Sequence, residues 1–134
     1  MASFSTPSPP PGRHLLVVDD EPHIGLILRL QFERQGYRLT LARTLAEARA
    51  ALASVAPLPD GLLLDLHLPD GSGIDFLQEL RAAAPTWALP VLVLTAEGDE
   101  RVLSETRRLG AEVLTKPFSP TKLTAQVAAM LGDA

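Results

Sequence analysis

Five polar residues follow short apolar runs of the chain, and their types are those that bind a divalent cation and a phosphate group. In chain order they are Asp19 and Asp20 after HLLVV, Asp65 at the end of LLLD, Thr95 at the end of PVLVLT, and Lys116 before a proline. Carboxylate oxygens favour magnesium, calcium or manganese over zinc, and magnesium typically binds one or two protein carboxylates and several waters. A lysine ammonium suits a phosphate oxygen, and a threonine hydroxyl can hydrogen-bond another.

The carboxylates also suggest a covalent role, because a carboxylate can attack a phosphoryl donor and form an acyl phosphate. Asp65 is the best candidate because it ends a central apolar strand, between the acid pair and Lys116. Since two unit charges 4 Å apart interact by roughly 4 kcal/mol at an effective dielectric of about 20, clustered carboxylates would favour a bound cation. Most of the rate effect would come from positioning and charge neutralisation.

These residues can meet only if the elements that carry them form one sheet. Five short runs predict strands, and they are His14–Val18, Arg38–Ala42, Leu62–Asp65, Pro90–Thr95 and Glu112–Lys116. Helical patterns follow, at Pro22–Gln35, after the Thr44 and Glu47 capping box, at Ile74–Ala84, at Asp99–Leu109, and after Ser119. The sequence therefore predicts an α/β fold, a (βα)5 doubly wound parallel sheet with helices on both faces. The ligand site of such a sheet lies outside the carboxyl ends of the strands, where the five polar residues stand.

The first predicted helix has two apolar faces. The expected core stripe consists of Ile24, Ile27, Leu28 and Phe32. Leu26 and Leu30 form a separate pair, spaced i and i+4, on the opposite side of the helix. This second pair is a hypothetical docking surface, with scattered surface leucines as the simpler alternative.

Composition excludes several other classes of protein. The formal net charge of -4 offers no attraction to nucleic acid phosphates or anionic lipid, and the absence of cysteine rules out disulfides and thiolate chemistry. No apolar run approaches the ~20 residues of a membrane span. Residues 1–13 are rich in proline and serine and are expected to form a disordered tail. We therefore expect neither a nucleic acid nor a membrane as a partner.

Four segments together resemble the receiver domain of two-component response regulators, of the single-domain type. They are VVDDEP (Val17–Pro22), LLLDLHLPDGSG (Leu62–Gly73), VLVLTAE (Val91–Glu97) and LTKPF (Leu114–Phe118). The similarity extends over His14–Leu131. It implies a flavodoxin-like sheet with strand order 2-1-3-4-5 and a receiver domain over residues 14–132 with no output domain.

The resemblance implies a role for each site residue. Asp65 would be the phosphoacceptor, and Thr95 and Lys116 would contact the phosphoryl group. A Mg²⁺ or Mn²⁺ ion would be bound directly by Asp20, by Asp19 directly or through water, by Asp65, and by the backbone carbonyl of His67. His67 and Glu97 resemble positions that tune dephosphorylation. Gly73 matches the glycine that lets the loop after Asp65 turn, and Lys116–Pro117 is similar to a bond that is usually cis.

One segment departs from the family pattern. GAEVLTKPF is one residue shorter than usual between its Gly-Ala and Lys-Pro-Phe, and Val113 stands three residues before Lys116, where the family has an aromatic ring. Tyr37 and Phe118 are not substitutes at that position. The departure leaves the phosphorylation chemistry intact and puts the usual output switch in doubt.

The resemblance also implies partners and a compartment. The phosphoryl donor would be a sensor histidine kinase or a histidine phosphotransfer protein in the cytoplasm. Output would pass through protein contacts with an unidentified target, or by relay of the phosphoryl group. Separately from the resemblance, the hypothesis drawn from the Leu26 and Leu30 pair is that it contributes to docking a kinase helix or a second copy in a homodimer. The chain would be regulatory rather than an enzyme, catalysing only its own phosphorylation and dephosphorylation.

Three alternatives remain from the residues themselves. An aspartyl-phosphate phosphohydrolase would want a second aspartate two residues after the nucleophile, where this chain has His67. Flavin mononucleotide binding on the same fold would want a phosphate-holding loop after the first strand, where Asp19, Asp20 and Glu21 would repel it. A docking module that is never phosphorylated is the third alternative, and Val113 is the residue that supports it.

Overall fold

The computed structural model describes residues 12–54, 57–96 and 98–133. In chain order the elements are β1 (His14–Val18), α1 (Pro22–Arg34), β2 (Arg38–Ala42), α2 (Leu45–Ser54), β3 (Gly61–Asp65), β4 (His67–Leu68), β5 (Gly71–Ser72), α3 (Gly73–Ala82), β6 (Val91–Thr95), α4 (Glu100–Arg108), β7 (Glu112–Thr115) and α5 (Pro120–Met130). The predicted strands and helices are all present, with ends that differ from the prediction by one or two residues.

Five of the strands form one parallel sheet in the order β2-β1-β3-β6-β7. The remaining two are two-residue strands that pair antiparallel as a hairpin between β3 and α3. Since β6 and β7 are the fourth and fifth strands of the large sheet, the predicted order 2-1-3-4-5 is confirmed. The central strand is β3, which ends at Asp65.

Alternate residues of the buried strands build two cores, one on each face of the sheet. One face, with Leu16, Val18 and Leu64 among its residues, is covered by α2, α3 and α4. The other face, with Leu15 and Val17 among its residues, is covered by α1 and α5. Because the strands β1, β3 and β6 are buried along their whole length, their carboxyl ends are held at one edge of a rigid layer.

The prediction that Ile27 belongs to the core stripe of α1 is wrong. Leu28 and Phe32 are buried and Ile24 is partly buried, but Ile27 is 51% exposed. The buried stripe also includes Gly25. A stripe through positions 25, 28 and 32 leaves Ile27 more than a quarter turn away from its centre, since each residue turns the helix by about 100°.

The amino-terminal boundary of the folded part includes Arg13. Its guanidinium donates to the Asp133 carboxylate at 2.6 and 3.0 Å and to Asp60 Oδ1 at 3.3 Å. The tail predicted to be disordered spans residues 1–13, of which residues 1–11 lie outside the described residues. No helix in the described part of the chain has the length and apolar character needed to cross a membrane.

The connection from β3 to α3 allows no side chain at Gly73. A Cβ atom there would lie 2.6 Å from the Asp65 carbonyl oxygen and 2.7 Å from Leu66 Cα, both of which are backbone atoms. The Gly73 N–H also donates to the Leu66 carbonyl at 2.9 Å. The glycine is therefore required by the close approach of α3 to the end of β3, as the sequence predicted for this turn.

Gly73→Ala is expected to lower the free energy of unfolding by about 1–3 kcal/mol, because backbone around Asp65 must shift to admit the methyl group. The matched control is Gly25→Ala, whose Cβ would meet only Leu41 Cδ1 at an ordinary 3.5 Å. Helix propensity favours alanine over glycine by about 1 kcal/mol, so the control is expected to be neutral or stabilising. Chemical denaturation of both variants tests this, and equal stability of Gly73→Ala and the parent would contradict it.

Candidate functional site

The five predicted polar residues stand at the carboxyl edge of the sheet. Asp19 and Asp20 follow β1, Asp65 ends β3, Thr95 ends β6, and Lys116 follows β7. Since the strands are parallel, these ends share one edge of the sheet. The burial of β1 and β3 up to their last residues fixes where the acidic side chains begin.

Asp19, Asp20 and Asp65 form a compact acidic cluster. Each offers one carboxylate oxygen, and these oxygens all lie within 4.8 Å of one another. Asp19 and Asp65 are only 6% and 7% exposed, and Asp20 is half-buried. Three oxygen ligands at this spacing are the donor set that suits a hard divalent cation.

Lys116 supplies the positive charge that faces the acidic cluster. Its Nζ lies 3.3 Å from Asp65 Oδ2 and 3.5 Å from Asp19 Oδ2. The backbone N–H of Lys116 donates to the Thr95 carbonyl at 2.9 Å, and the Lys116–Pro117 peptide bond is cis. The lysine is therefore held at the end of β7 with its ammonium group between two of the three carboxylates.

Burial and charge act in opposite directions on these groups. Burial raises the pKa of Asp19 above its ordinary value, against the lowering effects of the Glu21 N–H and the Lys116 ammonium. For Lys116, burial alone would lower the pKa, but Asp19 and Asp65 together raise it above its ordinary value. The lysine is thus charged across the physiological range, while the carboxylates outnumber it at this edge.

The second oxygen of each buried carboxylate is held by backbone. Asp19 Oδ1 accepts the Glu21 N–H at 2.9 Å, and Asp65 Oδ1 accepts the His67 N–H at 3.0 Å. Each aspartate thus bonds an amide two residues further on, a local arrangement that fixes the rotation of the carboxylate. The Oδ2 atoms are thereby directed toward Lys116.

The remaining predicted residues differ in their surroundings. Thr95 is fully buried beside the cluster, in register with Thr115 of β7. The side chain of His67 is exposed at the start of the β4–β5 hairpin. Glu97, predicted to tune dephosphorylation, lies outside the described residues.

The position without an aromatic ring is part of the sheet packing. Val113 pairs with Val93 in β6 and packs, partly buried, against the core on the α2, α3 and α4 face. Tyr37 makes an edge-to-face contact with Phe32 at 5.2 Å between ring centroids, and Phe118 packs on the opposite face of the sheet. Neither ring occupies the Val113 position, as the sequence predicted.

Sequence reasoning missed the role of Asp70, which stands in the loop predicted after Asp65. The Asp70 carboxylate accepts the Leu45 N–H at 2.9 Å and the Ala46 N–H at 3.0 Å, so it caps α2 from another part of the chain. These bonds, with the Leu45 amide first, hold the pKa of Asp70 below its ordinary value. Of the predicted Thr44 and Glu47 capping box, the Thr44 bond is present, since Thr44 Oγ1 accepts the Glu47 N–H at 3.1 Å, but the Glu47 carboxylate accepts the Arg43 N–H at 2.9 Å and not that of Thr44. These bonds leave the Leu45 and Ala46 amides to be bonded elsewhere.

Comparison with known proteins finds one family over most of the chain. The sequence pattern of the response regulator receiver domain matches residues 15–128. The phosphate regulon transcriptional regulatory protein PhoB of Escherichia coli is 38% identical over 120 residues, which are 89% of this chain and 52% of PhoB. The chain thus spans about half the length of the curated relatives it matches.

Solved structures agree with this match. A response regulator structure from Chloroflexus aurantiacus superposes with a TM-score of 0.82 at 33% identity, over 90% of this chain and 98% of that one. The chemotaxis response regulator CheY4 of Vibrio cholerae superposes with a TM-score of 0.81 at 26% identity, over 89% of this chain and 98% of that one.

Lys116→Met is expected to destabilise the fold in the absence of divalent cations, because two largely buried carboxylates lose their counter-charge. We expect a loss of about 1–3 kcal/mol, less than the roughly 3–5 kcal/mol of a fully buried pair, because the lysine side chain keeps some solvent contact. Combining it with Asp65→Asn should recover part of the loss. The control is Lys122→Met on the exposed side of α5. Denaturation curves for the four proteins test this, and equal effects of the two lysine substitutions would contradict it.

Proposed function

The chain belongs to the response regulator receiver domain family, and from that premise we propose that it is a phosphoacceptor in two-component signalling, modified on Asp65. The observation that carries the proposal is the position of Asp65 Oδ2, which lies 3.3 Å from Lys116 Nζ and beside two further carboxylates. Asp65 also ends the central strand of the sheet. A nucleophile, a cation site and a fixed positive charge are thus supported at one point.

The proposed step transfers a phosphoryl group from a phosphohistidine to Asp65. A carboxylate oxygen of Asp65 forms a bond to phosphorus as the phosphorus–nitrogen bond breaks, and its electron pair leaves on the imidazole nitrogen, which takes up a proton. Lys116 and the Thr95 hydroxyl contact the oxygens of the transferred group. The rate then depends mainly on positioning and on neutralising the charge of those oxygens.

The acidic cluster fits a magnesium or manganese ion. We propose that Asp20 and Asp65 bind it directly, that Asp19 binds it directly or through water, and that the backbone carbonyl of His67 is a further ligand. The support is the all-oxygen donor set within 4.8 Å and the excess of carboxylates over ammonium groups at this edge. When bound, such an ion supplies positive charge toward phosphoryl oxygens.

The proposed role is regulatory. The donor would be a sensor histidine kinase or a histidine phosphotransfer protein in the cytoplasm, and output would pass through protein contacts or by relay of the phosphoryl group. A phosphohydrolase is disfavoured because His67 stands where such an enzyme wants a second aspartate, two residues after the nucleophile. The packing of Val113 into the sheet supports an output that does not depend on a moving ring at that position.

Incubation with acetyl phosphate and Mg²⁺ is expected to add one phosphoryl group to the protein, as read by intact mass. The adduct should be absent without a divalent cation and absent in Asp65→Asn. Asp60→Asn, which changes an aspartate at the other end of β3, is the matched control and should be phosphorylated like the parent. An adduct that survives in Asp65→Asn would show that Asp65 is not the acceptor, and a parent protein that is never modified would favour the docking module.

We propose that the exposed apolar face of α1 takes part in docking the phosphoryl donor. Leu26, Ile27 and Leu30 are 57%, 51% and 58% exposed, so the face is larger than the leucine pair seen in the sequence. The helix begins three residues after Asp19, which brings the face close to the acidic cluster. Positions 26, 27 and 30 are neighbours on the helix surface, which distinguishes these residues from apolar residues that are scattered singly.

Leu26→Lys with Leu30→Lys is therefore expected to slow phosphoryl transfer from a phosphorylated histidine protein by about tenfold, equivalent to roughly 1.4 kcal/mol of lost contact. Transfer from acetyl phosphate should be unchanged, because this small donor needs no protein surface. Trp87→Lys is the control, since Trp87 is 65% exposed but lies in the loop that precedes β6, at the opposite edge of the sheet. Unchanged transfer from the histidine protein would eliminate this surface.

A further inference from the structure

The β4–β5 hairpin connects Asp65 to the start of α2 through hydrogen bonds at its base and at its tip. At its base, the His67 N–H donates to Asp65 Oδ1 at 3.0 Å, and the Gly73 N–H donates to the Leu66 carbonyl at 2.9 Å. Between these points His67 pairs with Ser72 across the two short strands. The base of the hairpin is therefore bonded to the phosphoacceptor and to the residue after it.

The tip of the hairpin is bonded to the start of α2. Asp70 accepts the N–H groups of Leu45 and Ala46 at 2.9 and 3.0 Å, one with each carboxylate oxygen. Next to it, a Cβ at Gly71 would lie 3.0 Å from Leu45 Cδ1, so backbone and side chain are in close contact. The hairpin is thus fixed at its base by Asp65 and at its tip by Asp70, five positions further along the chain.

A second connection keeps α2 from moving independently of the elements around the hairpin. Arg49 of α2 makes two-pronged hydrogen bonds to the Glu79 carboxylate of α3, with the shortest distances at 3.0 Å. Its guanidinium carbon also lies 5.5 Å from the centre of the Phe76 ring. Because α3 begins directly after β5, this pair links α2 to the chain on the far side of the hairpin.

We propose that Asp70 is a positioning residue for the chemistry of Asp65. It acts through the hairpin. The Asp70 carboxylate bonds the α2 amides and so fixes the hairpin tip, and the hairpin holds the His67 backbone N–H against Asp65 Oδ1. Phosphorylation of Asp65 then changes the hydrogen bonds at the start of α2, so that this surface depends on phosphorylation. This inference rests on the proposed phosphorylation of Asp65.

The physical basis is a change in acceptor strength. An N–H bonded to an ionised carboxylate makes a stronger hydrogen bond than one bonded to a neutral acceptor, and an acyl phosphate leaves Asp65 with a neutral carbonyl oxygen. The hydrogen bond from the His67 backbone N–H to Asp65 Oδ1 therefore weakens when Asp65 is phosphorylated. Coupling of this kind is reciprocal, so a change at Asp70 must also alter the stability of the phosphorylated state relative to the free one.

The first test is amide hydrogen exchange at Leu45 and Ala46, with and without acetyl phosphate and Mg²⁺, with intact mass measured on the same samples. We expect exchange at these two amides to change severalfold on phosphorylation. A fully phosphorylated sample in which both amides exchange as before would overturn the coupling and leave the proposed function standing. A sample that never gains the phosphoryl group would remove both, and the mass tells the two failures apart.

The second test compares the rate of phosphoryl loss after the donor is removed, in Asp70→Ala, Asp70→Asn and Thr44→Ala. Thr44→Ala is the matched control because Thr44 Oγ1 caps the same helix through the Glu47 N–H at 3.1 Å, an amide different from the two that Asp70 accepts. We expect Asp70→Ala to change the rate of phosphoryl loss by about fivefold, because a displaced hairpin alters how the acyl phosphate is positioned, and Thr44→Ala to leave the rate nearly unchanged. Asp70→Asn keeps one acceptor oxygen and should fall between the parent and Asp70→Ala.

Either of two results would overturn the positioning role. One is a rate in Asp70→Ala equal to that of the parent. The other is an equal change in Thr44→Ala, because this would show that the rate follows the stability of α2 and not the position of the hairpin. Since Asp70 is exposed at a hairpin tip, both Asp70 variants are expected to fold, which circular dichroism checks.

Discussion

The enforced proximity of Asp19, Asp20 and Asp65 is the constraint on which the account of the site depends. A parallel sheet whose strands are buried on both faces holds these three carboxylates together despite their mutual repulsion. Burial makes the repulsion stronger, because it removes the water that would otherwise screen it. The hydrophobic cores on the two faces of the sheet supply the stability against which this cluster is maintained.

Two further features offset the repulsion within the cluster and orient its carboxylates. Lys116 stands between Asp19 and Asp65, and backbone N–H groups hold the other oxygen of each. The lysine compensates only part of the negative charge, which leaves an electrostatic preference for a divalent cation at this edge. The same arrangement leaves Asp65 Oδ2 directed at the place where a phosphoryl group would bring negative charge toward the lysine. A site that is strained without ligands and relieved by them is the physical basis of the proposed phosphoacceptor.

The sequence predicted those parts of the structure that repeat or end abruptly. Runs such as Leu62–Asp65 are apolar up to a final charged residue, so both the strand and the site at its end were visible. Ile27 was misplaced because helical periodicity defines a stripe only to within about one residue, and Gly25 shifted the buried side of α1. Asp70 was missed because its partners lie 24 and 25 residues away, and no local pattern reveals a cap supplied by another segment. The disorder of the amino-terminal tail and the role of Glu97 in dephosphorylation remain predictions.

The central claim is that Asp65 is the residue that carries the phosphoryl group. Borohydride reduces an acyl phosphate to an alcohol, so treatment of the phosphorylated protein converts the modified aspartate to homoserine, which peptide mass mapping locates. Homoserine at Asp65, formed only when phosphoryl donor and Mg²⁺ are both present, is the result that we predict. Homoserine at Asp19 or Asp20 instead would contradict the claim, because the acceptor would then be one of the residues that we propose as metal ligands.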